Sequence, residues 1–156
     1  MKIVFRLLTV LAALPLTASI AVAHHSFAMF DKTVEKVATG TVVRWQFNAP
    51  HSWLYMNIKG ADGKETLWSF EGSAPPSLVT RGISGSTFEP GQTVTVSYCP
   101  LKDGRPGGGL GWARLANGEF KNPADGGCDG SQKAIEKWKV WLSAGYTSST
   151  EALKGK

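Results

Sequence analysis

The chain has few of the residues that most often carry chemistry. Among 156 residues it has only three histidines and two cysteines. No Gly-x-Ser-x-Gly elbow surrounds any serine, which excludes the common hydrolase nucleophile motif. The glycines at 107, 108, 109 and 111 are not followed by Lys-Ser/Thr, so they form no phosphate loop. The acidic stretch 125–130 does not fit the spacing of a calcium hand.

Dense positive charge is also missing. The chain has 17 basic and 12 acidic residues, a formal net charge of +5, and the lysines and arginines are scattered. Nucleic-acid binding usually needs a concentrated basic stripe. Nucleic acid is therefore a poor partner for this chain.

The first 23 residues have the pattern of a secretory signal peptide. Lys2 and Arg6 form a basic start, Leu7–Val22 is apolar, and Ala21-x-Ala23 supplies the small residues of a cleavage site. The apolar run is short for a membrane span, which takes about 20 residues. We expect cleavage after Ala23, a mature charge near +3, and a periplasmic or secreted protein.

Cleavage there would create a new amino terminus at His24. Its α-amine and its Nδ1 can close a chelate ring on one metal ion, and His51 can supply a third nitrogen. His25 either binds through its own side chain or faces away in a supporting role. Because nitrogen donors suit tetragonal copper(II), we predict a copper site formed by His24, His51 and His25. Its role would be metal handling or accessory delivery, with a periplasmic protein as a possible partner.

Six tryptophans give a competing hypothesis. Trp45, Trp53 and Trp68 lie near the His51 loop or on adjacent predicted strands, and an exposed aromatic platform would bind a non-metal ligand or a protein. The histidines would then be structural. Glu71, at a strand end, and Asp31 are the best-placed catalytic carboxylates, but neither belongs to a specific motif. The residues therefore favour a binding protein over an enzyme.

The pattern of the mature chain predicts one domain over 24–130 and a C-terminal amphipathic helix and tail over 131–156. Alternating apolar residues predict five strands, and the prolines of 73–82 begin a short helix between the third and the fourth. Asp62-Gly63 is a hairpin turn signal, Gly40 a bend or bulge, and 102–109 a flexible turn. This order is that of a five-stranded OB-like Greek-key barrel. The predicted strands are 34–47, 53–59, 65–71, 92–99 and 110–116.

Two features join the tail to the barrel. Cys99 and Cys128 are an even pair in an exported chain, which predicts a disulfide. Ser131 can cap a helix that carries Ile135, Trp138, Trp141 and Leu142 on one side. We expect this helix to pack on the barrel; contact with a membrane surface through its lysines and tryptophans is the lesser alternative.

Several motifs resemble a family of uncharacterised exported bacterial proteins, small β-barrels with a His-His-Ser-Phe start after cleavage and an Asn-Pro-His loop. The motif residues are 23–31, 40–42, 45–53, 68–71 and 91–94. Here the loop is Asn48-Ala49-Pro50-His51, with one residue inserted. The resemblance covers about 21–118 and implies export and a barrel fold. The amino-terminal histidine alone is also similar to the histidine brace of copper carriers and copper oxygenases.

Overall fold

A computed structural model describes residues 27–155 of the chain. The predicted signal peptide and the calls on His24 and His25 lie outside these residues. Within them the strands are β1 Lys36–Gln46, β2 Ser52–Lys59, β3 Glu65–Gly72, β4 Thr93–Pro100, β5 Gly107–Arg114 and β6 Phe120–Lys121. The α-helices are α1 Pro75–Val79, α2 Gln132–Ser143 and α3 Ser149–Lys154, and a single 3₁₀ turn covers Phe27–Met29.

The first five strands close into a barrel. Their order is β3-β2-β1-β4-β5, and β5 returns to pair with β3 in parallel. The helix α1 lies between β3 and β4 in the chain, as an OB-type barrel requires. The prediction of an OB-like barrel with a helix after its third strand is therefore confirmed. The short strand β6 extends the sheet beside β5 and lies outside the five predicted strands.

Side chains at alternate positions along the strands fill the interior of the barrel. Leu54 and Met56 of β2 are fully buried, whereas Trp53 and Tyr55 between them are partly exposed. Opposite partners share a side of the sheet, so Leu54 faces Phe70 of β3 in the interior. His51, two residues before Trp53, lies on the outer side together with Trp53 and Glu71.

Gly40 does not form the bulge that the sequence suggested. The pairing of β1 with β2 shifts register between Val42 and Arg44, so the extra residue is Val43. At Gly40 a Cβ would clash with the carbonyl oxygen of Asn57. The glycine is required there by the close approach of β2, and a side chain would push the two strands apart.

The glycine-rich stretch before Leu110 is another difference. It was predicted to be a flexible turn, yet Gly107–Gly109 begin β5 and pair with both β3 and β4. A Cβ on Gly108 would clash with the carbonyl oxygen of Cys99, and one on Gly109 would lie 2.9 Å from the Cα of Gly127. Glycine therefore lets three neighbouring chain segments meet where the barrel closes.

The C-terminal region packs on the barrel as expected. Cys99 and Cys128 form a disulfide with an S–S distance of 2.05 Å. The Ser131 hydroxyl caps α2 by accepting from the Ala134 N–H at 3.2 Å. Trp138 and Trp141 of α2 are buried, and Trp138 packs edge-on against Trp112 of β5. No helix within residues 27–155 is long and apolar enough to cross a bilayer.

Candidate metal centre

Three side chains that can bind a metal ion converge on the outer side of the barrel. The Nδ1 atom of His51 lies 2.9 Å from Asp125 Oδ2 and 3.0 Å from Glu71 Oε1. One ligand atom from each residue lies within 4.8 Å of the other two. The side chains of His51, Glu71 and Asp125 are 14%, 13% and 24% exposed, so the cluster is largely shielded from water.

The sheet positions two of these residues. His51 directly precedes β2, after a cis Ala49–Pro50 bond, and Glu71 is the penultimate residue of β3. Because Ser52 pairs with Gly72 and Trp53 with Glu71, the start of β2 lies beside the end of β3. This register carries the His51 ring to the Glu71 carboxylate.

Asp125 comes from the loop between β6 and α2, and three contacts fix that loop. The Ser73 hydroxyl donates to Asp125 Oδ1 at 2.9 Å, and the Ser73 N–H donates to the carbonyl of Pro123 at 2.9 Å. Arg81 Nη1 donates to the carbonyl of Ala124 at 2.7 Å. The disulfide then holds Cys128, three residues after Asp125.

The beginning of the described chain lies beside the same cluster. Phe27 lines a groove of about 520 Å³ together with His51 and Asp125. The Phe27 ring and the buried Phe30 pack on the disulfide, and Asp31 N–H donates to the carbonyl of Pro100 at 2.8 Å. Residues 27–31 are thus docked on the barrel.

The donor set is one imidazole and two carboxylates. Such ligands are typical of borderline divalent ions such as zinc and copper, since imidazole suits these metals and carboxylates bind them at about 2.0–2.2 Å. The sequence predicted His51 as a ligand and marked Glu71 only as a carboxylate at a strand end. It missed Asp125, whose one available signal was its position three residues before a predicted disulfide cysteine.

The three tryptophans proposed as a ligand face are not arranged as one platform. Trp45 is buried in the barrel core, where its Nε1 donates to the carbonyl of Ser84 at 2.9 Å. Trp68 packs against Phe70 and Tyr98 on that same inner side. Trp53 lies on the outer side and lines a small cavity of about 90 Å³.

Asp31 is held in a local turn. Its Oδ1 accepts from the hydroxyl of Thr33 at 2.5 Å and from the backbone N–H of Thr33 at 3.1 Å. The bond from the Thr33 hydroxyl, followed by that from the Thr33 N–H, holds the pKa of the Asp31 carboxyl below its ordinary value. These contacts are those of an Asx turn, so the Asp31 carboxylate stabilises the chain as it enters the barrel.

Fold and site together define a small OB-type barrel with a histidine–carboxylate centre on its outer side. The chain belongs to the family of unknown function DUF6152, whose model matches residues 13–110. This match includes His51 and Glu71 and ends before Asp125. No curated protein and no solved structure matches the chain significantly.

Proposed function

We propose that this protein is exported and binds copper(II) through His51 and a mature amino-terminal His24, for metal handling or accessory delivery. The observation that carries the proposal is the shared groove of Phe27 and His51. Three residues of chain span at most about 11 Å, so His24 cannot lie far from Phe27. The position of Phe27 in the His51 groove therefore supports an amino-terminal ligand at the same site.

The surroundings of His51 also support a bound cation. Two carboxylates lie at about 3 Å from its ring nitrogen, and both are largely shielded from water. The charge of a divalent ion is favourable beside such carboxylates, because partial burial weakens the screening by solvent. The amine and imidazole of His24 would add the nitrogen donors that copper(II) prefers.

The disulfide supports the export half of the proposal, since disulfides persist in oxidising compartments. The rival function, an interaction module that uses a tryptophan face, is less favoured by the positions of the rings. Trp45 is buried in the barrel core, and Trp68 is partly buried against it.

A competition titration with copper(II) tests the proposal. The mature protein starting at His24 is compared with a form that carries one extra residue before His24. The extra residue converts the amine to a peptide nitrogen, so copper affinity should fall sharply while every side chain remains. His51→Ala should also weaken binding, and circular dichroism should stay unchanged in both proteins. Equal affinity of the native and extended forms would contradict an amino-terminal site.

A further inference from the structure

We infer that Glu71 and Asp125 are direct metal ligands together with Nδ1 of His51. The barrel itself then carries a three-point site for a borderline divalent ion of the zinc(II) or copper(II) class. The inference deepens the proposed function and shares His51 with it, but it does not require the amino-terminal chelate. In the mature protein, His24 would fill coordination positions that these three ligands leave open.

The spacing of the ligand atoms is the first argument. With metal–ligand bonds of about 2.0–2.1 Å, two neighbouring ligand atoms lie about 2.9 Å apart at the right angle of tetragonal copper(II) and about 3.4 Å apart at the tetrahedral angle of zinc(II). The Nδ1 atom of His51 lies 2.9 Å from Asp125 Oδ2 and 3.0 Å from Glu71 Oε1. Both distances therefore match neighbouring ligands of tetragonal copper(II), and a widening of about 0.4 Å would fit them to tetrahedral zinc(II).

Convergence is the second argument. One ligand atom from each of His51, Glu71 and Asp125 lies within 4.8 Å of the other two. The start of β2, the end of β3 and the loop after β6 therefore present three donors that one ion can contact at once.

Electrostatics is the third argument. Two carboxylates that share a partly buried site repel each other. A divalent ion offsets both negative charges at once and accepts electron pairs from several directions.

The ligands are also held in place before any ion arrives. Glu71 is fixed by strand pairing, and Asp125 by Ser73 and by the Arg81 contact with its loop. Preorganised ligands lose little conformational entropy on binding, which raises affinity. An exposed acidic cluster on mobile side chains would lack this advantage.

Zinc(II) alone is the probe that tests the inference, and the extended protein with one residue before His24 is the sample. In this form the amino-terminal chelate is absent, so any site belongs to the barrel. Glu71→Gln and Asp125→Asn keep the shape of each side chain and remove its charge. Loss of an outer partner of a metal ligand typically costs about 10- to 100-fold in affinity, and loss of a ligand should cost at least as much.

Two variants provide matched controls. Glu65→Gln removes a carboxylate from the exposed start of β3, and Asp129→Asn removes one from the same loop as Asp125. Neither should change zinc affinity. Circular dichroism and thermal unfolding would show whether each variant is folded. Unchanged zinc affinity in folded Glu71→Gln and Asp125→Asn overturns the inference.

Long-range ¹H–¹⁵N correlation spectra of the His51 ring distinguish a ligand site from a hydrogen-bonded ring. With zinc bound through Nδ1, the proton should be on Nε2; a zinc complex with the proton on Nδ1 overturns the inference. An extended protein that binds no zinc overturns it too, and leaves the amino-terminal copper site standing. Equal copper binding by native and extended proteins contradicts only the proposed function.

Discussion

The hydroxyl of Ser73 donates a hydrogen bond to Asp125 Oδ1 at 2.9 Å, leaving Asp125 Oδ2 to face His51. Ser73 directly follows β3, the strand that carries Glu71. The segment 71–73 therefore carries the Glu71 carboxylate and, through Ser73, orients the Asp125 carboxylate. This contact makes Ser73 a positioning residue of the proposed metal centre.

Replacement of Ser73 by alanine tests that role. Without the hydroxyl, Asp125 can rotate away from His51, and we expect zinc affinity to fall by about 10- to 100-fold, as for other outer partners of metal ligands. Ser86→Ala, in an exposed loop, is the control and should bind as the parent does. Isothermal titration with zinc measures both. Full affinity in Ser73→Ala would mean that the loop alone positions Asp125.

The disulfide should support both stability and the metal centre. Cys128 lies three residues after Asp125. Phe27 and Phe30 pack on the disulfide. A Cys99→Ser/Cys128→Ser variant should lose about 2–5 kcal/mol of unfolding free energy, the usual range for a native disulfide. It should also bind zinc more weakly, because Asp125 loses its anchor.

Denaturant unfolding measures the stability of this double variant, and a zinc titration of the folded protein measures its affinity. Asp103→Asn, in the exposed turn before β5, controls for a local change that leaves the disulfide intact. A folded double variant with parental zinc affinity would show that Ser73 and Arg81 hold the loop without help.

Of the three proposed ligands, only His51 could be predicted as a ligand from the sequence. Three histidines leave few candidates, so His51 followed from the scarcity of imidazole ligands. The strand ending at Glu71 followed from alternation after the Asp62-Gly63 turn. The contact between them depends on the register of β2 with β3, which pairs Trp53 with Glu71. A hairpin turn fixes that register only once its geometry is known.

Asp125 could not be predicted in the same way. It lies far along the chain in a loop without periodicity, and its position depends on Ser73, Arg81 and the disulfide. These are tertiary contacts with no local sequence signature. The prediction of a turn in the glycine stretch before Leu110 was wrong for a related reason. Glycine often marks a turn, but here it permits the close approach of neighbouring backbones.

Gly108→Ala tests this account of barrel closure. The new methyl group would clash with the carbonyl oxygen of Cys99, and strand pairing leaves that oxygen little room to move. Overpacking of this kind costs about 1–3 kcal/mol. At Gly85 a Cβ would meet only the Phe47 side chain at 3.8 Å, so Gly85→Ala is the control and should unfold like the parent. Equal unfolding midpoints of the variant and the parent in denaturant would show that β4 and β5 can move apart at little cost in free energy.

Trp138→Ala tests whether α2 belongs to the folded core or is available to a membrane. Trp138 is completely buried against Trp112 and Trp141, whereas Val140 two residues later is 66% exposed. Removing a buried tryptophan side chain should cost about 3–5 kcal/mol of unfolding free energy. Val140→Ala should change it by no more than about 0.5 kcal/mol. Denaturant unfolding measures both variants. A small loss in Trp138→Ala would imply that α2 contributes little to the core and would revive the membrane-surface alternative for its tryptophans.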